Sequence, residues 1–422
     1  MPDYSPAEER HNLILNCIHE FTWGFGIAFH STYALIPLFL ARLGAPHLVI
    51  ASVAGVFSIL MAGPELISAG LGRNIRNYKA AVIGVHTLVW PPVFFMAFIF
   101  TVLTPTGPGA WLFYYACFVL YSLAVGFIIP IWSGFLHRVT NRRTRGSFIG
   151  ISFALNSLGG FIGGWAVKIV FESSLPFPRN FGVGFWILLA SVVTGTLVFL
   201  GYRVKDEDTP VHHRTLTAVW QETRNILRRH RNFRRYLISR IFLTANYPAM
   251  SLYAVYAQEK FHFALSEAGV FTVIQVVAFG LASTLAGKLG DRQGHKRSFS
   301  LAVVAYVAAL IMALFAHNML MVYGIFLFMG VGQGAFLPSS LNLVYDFAGA
   351  GDNRIYMALV DTFLAPFTAL SILVVGLLVN SVPYAPLFWG IGVSLLVGLV
   401  LLLFWVRDPR HRQHPPDYSL PV

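Results

Sequence analysis

The chain has 422 residues, 56% of them hydrophobic and 11% charged, with a mean hydropathy of +0.65 and a formal charge of +12. A soluble domain carries about 25% charged residues and covers itself with polar side chains, so the apolar surplus here has to face lipid. Cys17 and Cys117 both lie inside apolar runs, which fits packing thiols rather than a disulfide framework or a metal site.

Stretches long enough to cross a bilayer, roughly 20 apolar residues each, occur at 12–41, 47–70, 80–103, 110–136, 146–171, 181–202, 235–257, 266–288, 298–316, 320–346, 355–380 and 385–406. None alternates as a membrane β-strand must, so the predicted class is an all-α, polytopic membrane protein with twelve transmembrane helices. Basic residues orient it. With the N-terminus inside, the outer connections hold only Arg42, Arg179 and Lys260 of the 30 Lys and Arg. This asymmetry predicts cytoplasmic termini and accounts for the positive charge as a topology signal, so nucleic acid is not an expected partner. The polar start MPDYSPAEERHN precedes an apolar run too long for a signal-peptide core, and no cleavage is expected.

In the first span His19, Trp23, Gly26, His30, Tyr33 and Pro37 recur at helical spacing and form one stripe. The fourth span carries GFIIP, with Gly126 four positions before Pro130, and the tenth carries GAFLP, with Gly334 four before Pro338. The fifth span is glycine-rich at Gly150, Gly159, Gly160, Gly163 and Gly164, which suits close helix packing in lipid. Residues 203–234 are polar and divide the chain into an N-terminal bundle, 1–202, and a C-terminal bundle with a short tail, 235–422. From Thr215 onward this linker has the spacing of an amphipathic surface helix. The seventh span repeats the polar stripe of the first, at Arg240, Thr244, Tyr247, Ser251, Ala254 and Gln258. Such weak internal repeats are expected of transporters built from duplicated halves around a midplane site.

Between the eighth and ninth spans stands GKLGDRQGHKR, residues 287–297. Glycines there allow a tight turn between antiparallel helices, and an aspartate can lie against a helix N-terminus and be released when the helices part. This stretch resembles the loop signature of the major facilitator superfamily, through Gly287, Leu289, Gly290, Asp291, Arg292, Gly294, Lys296 and Arg297. The resemblance implies two pseudo-symmetric six-helix bundles and a cytoplasmic gate in which Asp291 meets the start of span five near Arg145. The corresponding first-half loop, GLGRNIRNYK, departs from the pattern: Arg73 stands where aspartate is expected. A sign-reversed latch from Arg73 to Asp346 or Asp352 is one reading of that change. The fifth-span glycines also look like a fragment of the signature of exporters, without its proline.

Ionisable side chains inside a span usually face a cavity or a partner. His19, Glu20, Glu65, Arg240 and Asp361 lie toward the inner ends of their spans and form a predicted inner-gate layer. Proton coupling through Glu20, Asp361 or His19, and a static salt bridge with Arg240, both fit that layer. Trp23, His30, Tyr33, Asn156, Tyr247, Gln275 and Gln333 lie nearer the midplane and are the predicted substrate contacts. A phosphate-cradling loop and a zinc-type H-E-x-x-H are absent from the sequence, so no enzyme activity and no cofactor beyond a proton gradient is expected. The expected function is secondary transport of a small solute by rocking of the two bundles, as a symporter or antiporter. A drug or metabolite exporter, or a lipid flippase or receptor on the same fold, remains the alternative. The expected setting is a monomer in a bacterial cytoplasmic membrane.

Overall fold

The computed structural model describes residues 4–71, 75, 77–141, 144–205, 216–349 and 353–409, and among them every regular element is helical. The first half contains α1 (Pro6–Ala28), α2 (Leu35–Arg42), α3 (His47–Leu71), α4 (Tyr78–Thr87), α5 (Trp90–Phe98), α6 (Pro108–Val139), α7 (Arg145–Glu172) and α8 (Arg179–Leu197). The linker supplies α9 (Leu216–Arg229). The second half contains α10 (Arg231–Leu243), α11 (Asn246–Phe261), α12 (Glu267–Gln293), α13 (His295–Leu314), α14 (Met319–Ala348), α15 (Asn353–Leu378) and α16 (Tyr384–Val400). Among the described residues, nine helical segments, from Tyr78–Leu103 to Tyr384–Trp405, are long and apolar enough to cross a bilayer. The other three predicted spans coincide with α1 and α2, with α3, and with α10 and α11.

The first and seventh spans are therefore not the continuous helices that their stripes suggest. Both break at the same place in the repeat. Pro37 is the third residue of α2 and Pro248 the third of α11. Each ring excludes the carbonyl four residues earlier, on Tyr33 and Thr244, from a helical hydrogen bond. The chain responds by leaving the helix over 29–34 and over 244–245. The Thr244 carbonyl accepts instead from the Tyr247 N–H and from the Ser371 hydroxyl, both at 3.1 Å, which keeps it satisfied within the membrane. Pro91 and Pro92 likewise separate α4 from α5.

The N-terminus is helical earlier than the apolar pattern shows. Ser5 and Glu8 form a capping box: the Glu8 carboxylate accepts from the Ser5 N–H at 2.9 Å, and the Ser5 hydroxyl accepts from the Glu8 N–H at 3.3 Å.

Helix α1 packs on α7 and α8, α3 on α6, and α5 on α8; in the second half α12 and α13 pack on α14, and α10 and α13 on α16. The halves meet chiefly along α7–α12, α3–α15 and α2–α3 against α11. Glycines set the tightest of these contacts. A methyl group on Gly159 would strike the Phe21 carbonyl, and one on Gly163 would lie 2.7 Å from the Ala28 Cβ, so this face of α7 sits on α1. Gly160 and Gly164 face the other way, where a methyl would lie 3.0 Å from Val276 and 2.6 Å from Val273 of α12. The glycine-rich fifth span is thus a spacer between two neighbours, one in each half. Gly150 faces open space. The two cysteines are free, Cys117 buried and Cys17 partly so.

Candidate functional site

The two breaks and the α3–α15 and α7–α12 contacts surround one central cavity of about 660 Å³. All seven predicted substrate contacts line it: Trp23, His30, Tyr33, Asn156, Tyr247, Gln275 and Gln333. So do Arg240 and Asp361 from the predicted inner layer.

The first-half wall comes from α1, its break, α3, α6 and α7. His30, in the break, is buried; its Nε2 pairs with the Tyr114 hydroxyl at 3.1 Å and its ring lies edge-on to Tyr121, 4.6 Å away. Its Nδ1 has no partner. Trp23 is also buried, with its indole N–H unpartnered. Asn156 of α7 donates to the Glu20 carboxylate at 3.0 Å and to the Glu20 carbonyl at 3.1 Å, tying the cavity wall to α1.

The second-half wall comes from α10, its break, α11, α12, α13, α14 and α15. Gln275 donates to the Gln333 side-chain oxygen at 2.7 Å, leaving the Gln333 amide N–H₂ without a partner. Tyr247 accepts from the Ser58 hydroxyl at 3.1 Å, across the cavity from the other half. Arg240 donates to the Tyr236 hydroxyl at 2.7 Å, and its guanidinium lies 4.8 Å from the centre of the Phe336 ring and 5.3 Å from that of Phe299. Among the described residues neither Glu20 nor Asp361 comes within ion-pair distance of Arg240. The predicted static salt bridge is therefore absent, because Tyr236 and the aromatic faces hold the guanidinium and Asn156 holds Glu20.

The cavity is closed at one end. His47 Nδ1 meets the Asn380 side-chain oxygen at 2.7 Å, and its Nε2 lies 3.5 Å from Glu259, which also accepts from Tyr384 at 3.2 Å. One layer deeper, the Ala54 N–H of α3 donates to Ser251 of α11 at 2.9 Å. The lining runs from Ala54 and Thr368 away from this seal, toward Met61, Val344 and Met357 at the end that carries the linker and both termini.

The sequence compares with known proteins in two ways. The family model described as Major Facilitator Superfamily matches residues 236–419. Most of the chain also superposes on solved transporter structures. A nucleoside transporter, NupG, aligns with a TM-score of 0.72 at 12% identity, covering 93% of this chain and 98% of that one. A POT family transporter in complex with a thioalcohol-conjugated peptide aligns at 0.72 and 14%, covering 93% and 96%. FucP, a Major Facilitator Superfamily transporter in an outward conformation, aligns at 0.60 and 14%, covering 94% and 98%. This chain has the fold of these transporters, and its second half matches the Major Facilitator Superfamily model. It is a multi-pass membrane protein. No curated protein matches the sequence.

Within this superfamily fold the loop signature is tighter than its spacing suggests. Helix α12 runs through Gly287, Gly290, Asp291 and Arg292, and Gly294 alone makes the turn, at φ +97°. Only glycine enters this backbone region without strain. Asp291 lies 3.8 Å from His295 at the start of α13. Arg145, at the start of α7, donates to Thr140 at 3.0 Å and to the His137 carbonyl at 3.2 Å.

Two predicted inner-layer residues do not line the cavity. His19 is buried against α8, its Nδ1 2.9 Å from the Gly195 carbonyl and its ring 5.2 Å from His86 and 4.6 Å from Phe199. Glu20 sits behind Asn156. The side chain of Glu65 lies outside the described residues, as do Arg73 and Asp352. Ser251, on the seventh-span stripe, serves the α3 contact rather than the cavity. Conversely, Thr244, Asn246, Thr272 and Tyr306 line the cavity and were not predicted as contacts. The first two flank the break before Pro248, and Thr272 lies three residues before Gln275 on the same helical face. Tyr306 carries no signal in the sequence, being a lone tyrosine in an apolar span.

Proposed function

We propose that this protein is a secondary active transporter that carries a small solute by alternating access. Two bundles, 1–202 and 235–422, joined by a cytoplasmic linker at 203–234, rock about the central cavity. The observation that carries this reading is the cavity itself: both halves line it, and contacts between the halves seal one end. A rigid-body rotation that broke those contacts and closed the opposite end would expose the same side chains to the other side of the membrane. The fold neighbours include nucleoside and peptide transporters, which supports solute transport over an enzyme or receptor role. Polar and aromatic side chains at the centre favour a small solute over a lipid.

With both termini in the cytoplasm of a bacterial inner membrane, the sealed end faces outward and the structure is inward-facing. Gly287, Gly290, Asp291, Arg292 and Gly294 would then engage the Arg145 end of α7 in the outward-facing state. Glu20 is the carboxylate best placed for proton coupling. It lies at the seam between α1 and α7, is buried, and connects to the cavity through Asn156.

Reconstitution into proteoliposomes tests this reading. Saturable, protein-dependent uptake of at least one labelled metabolite is expected, accelerated by an imposed proton gradient. Glu20→Gln should retain exchange of solute between equal pools and lose the response to the gradient. A Glu20→Gln protein that still accumulates solute in response to pH would remove Glu20 from coupling, and absence of any protein-dependent flux would refute transport.

A further inference from the structure

We infer that the cavity's ligand is a zwitterion, a molecule of amino-acid or short-peptide size carrying one carboxylate and one ammonium group. This assignment rests on the transporter reading and names its substrate class. Among the described residues, Arg240 and Asp361 are the charged side chains that line the cavity, and they carry opposite sign. No hydrogen bond or ion pair joins them: Arg240 is held by Tyr236 and by the faces of Phe299 and Phe336. Asp361, on α15, makes no hydrogen bond or ion pair with a described residue. Two opposite charges kept apart within one membrane-embedded cavity are costly unless something spans them. A monoanion would pair with Arg240 and face the repulsion of Asp361, and a monocation would do the reverse. A neutral polyol would leave both charges without an ionic partner. A zwitterion pairs with both, adding charge-assisted hydrogen bonds at each end.

The rest of the lining suits such a molecule. Buried polar atoms without hydrogen-bond partners belong to residues that line the cavity: His30 Nδ1, the Asn246 side-chain oxygen and the Gln333 amide N–H₂. Buried polar groups are normally paired, so a set of orphans around one cavity marks a place where a ligand or water completes the bonds. They include donors and an acceptor, as peptide or side-chain amides require. The volume of about 660 Å³ lies within the range of small-molecule sites and leaves room for a side chain beyond the two charged groups.

Purified full-length protein, screened by thermal shift and equilibrium binding, decides the matter. The probes are the twenty common amino acids and their alanyl dipeptides, with a hexose and a nucleoside panel as controls. For each zwitterion that binds, its methyl ester removes the negative charge and its N-acetyl derivative removes the positive one. At least one zwitterion should bind, with both derivatives weaker by about tenfold or more, the loss expected for a charge-assisted hydrogen bond. Arg240→Gln should lose affinity for the parent and the N-acetyl derivative while sparing the ester; Asp361→Asn should show the opposite pattern. Arg240→Lys, which keeps the charge, serves if the glutamine variant does not fold. Equal binding of parent, ester and N-acetyl forms would overturn the assignment. So would binding of a hexose or nucleoside with no zwitterion active, an outcome that leaves the transporter reading standing. If no solute binds and none crosses proteoliposomes, both readings fall.

Discussion

Glu8 shows how one side chain can hold a helix start outside the bilayer. Its carboxylate accepts from the Ser5 N–H, then from Lys205 at 3.0 Å and from the Ser5 hydroxyl, and these bonds depress its pKa from 4.5 to about 2. A depressed carboxylate pKa means that the folded state prefers the ionised form. The contribution to stability is complete above the ordinary carboxylate range and is lost as pH falls through about 2. Amide exchange in the first turn of α1 should therefore stay protected at pH 4 and rise only in stronger acid, whereas Glu8→Gln should exchange faster at neutral pH. Equal protection in the two proteins at pH 7 would show that the capping box contributes nothing. Glu20 and Arg240 teach a different lesson. Their charges are legible in the sequence, but their partners are not: an amide holds one and a phenol holds the other. A linear reading pairs opposite charges because it has no distances with which to choose among neighbours.

At the scale of the elements, small residues and prolines do most of the positioning. Gly159 meets α1 at backbone contact distance, so Gly159→Val must push two helices apart. Overpacking of this kind costs about 1–3 kcal/mol, and the purified variant should melt several degrees lower. Gly150→Ala, on the same helix but facing open space, should melt like the parent. An unchanged melting temperature for Gly159→Val would mean that the α1–α7 seam can open without cost. The prolines act by removing a donor. Pro37 and Pro248 stand at the same position after the breaks in spans one and seven, and each break places polar groups at the cavity: His30 and Tyr33 in one half, Thr244 and Asn246 in the other. The signal for both breaks is present in the sequence as a proline late in an apolar run. Helical spacing alone overlooks it, because a stripe drawn at a constant angle assumes an unbroken helix. His19 and Ser251 fell on such stripes and turned out to serve packing contacts.

For the molecule as a whole, the seal at one end of the cavity is the feature whose movement the proposed function requires. His47 and Asn380 meet across that seal, with Nδ1 and the amide oxygen 2.7 Å apart. The double variant His47→Cys, Asn380→Cys, joined by a short reducible thiol cross-linker, should lock the two halves at this end and lose transport until a reductant is added. Full transport by the cross-linked protein would rule out alternating access through that opening. Loosening the same seal by His47→Gln should shift the population toward the outward-open form, which spin labels across the seal would report as a longer mean distance.

Hydropathy, the distribution of arginine and lysine, and the GKLGDRQGHKR loop determined the fold class, because a bilayer imposes its thickness and polarity on every segment independently. That the seven predicted residues line the cavity was legible for a related reason: a polar side chain in lipid has few places to go other than a cavity. Tertiary structure alone decided which charges meet, which end is closed and where Tyr306 enters the site. Those outcomes depend on the relative placement of helices far apart in the chain, and the local cost of burying a residue is the same whichever neighbour receives it.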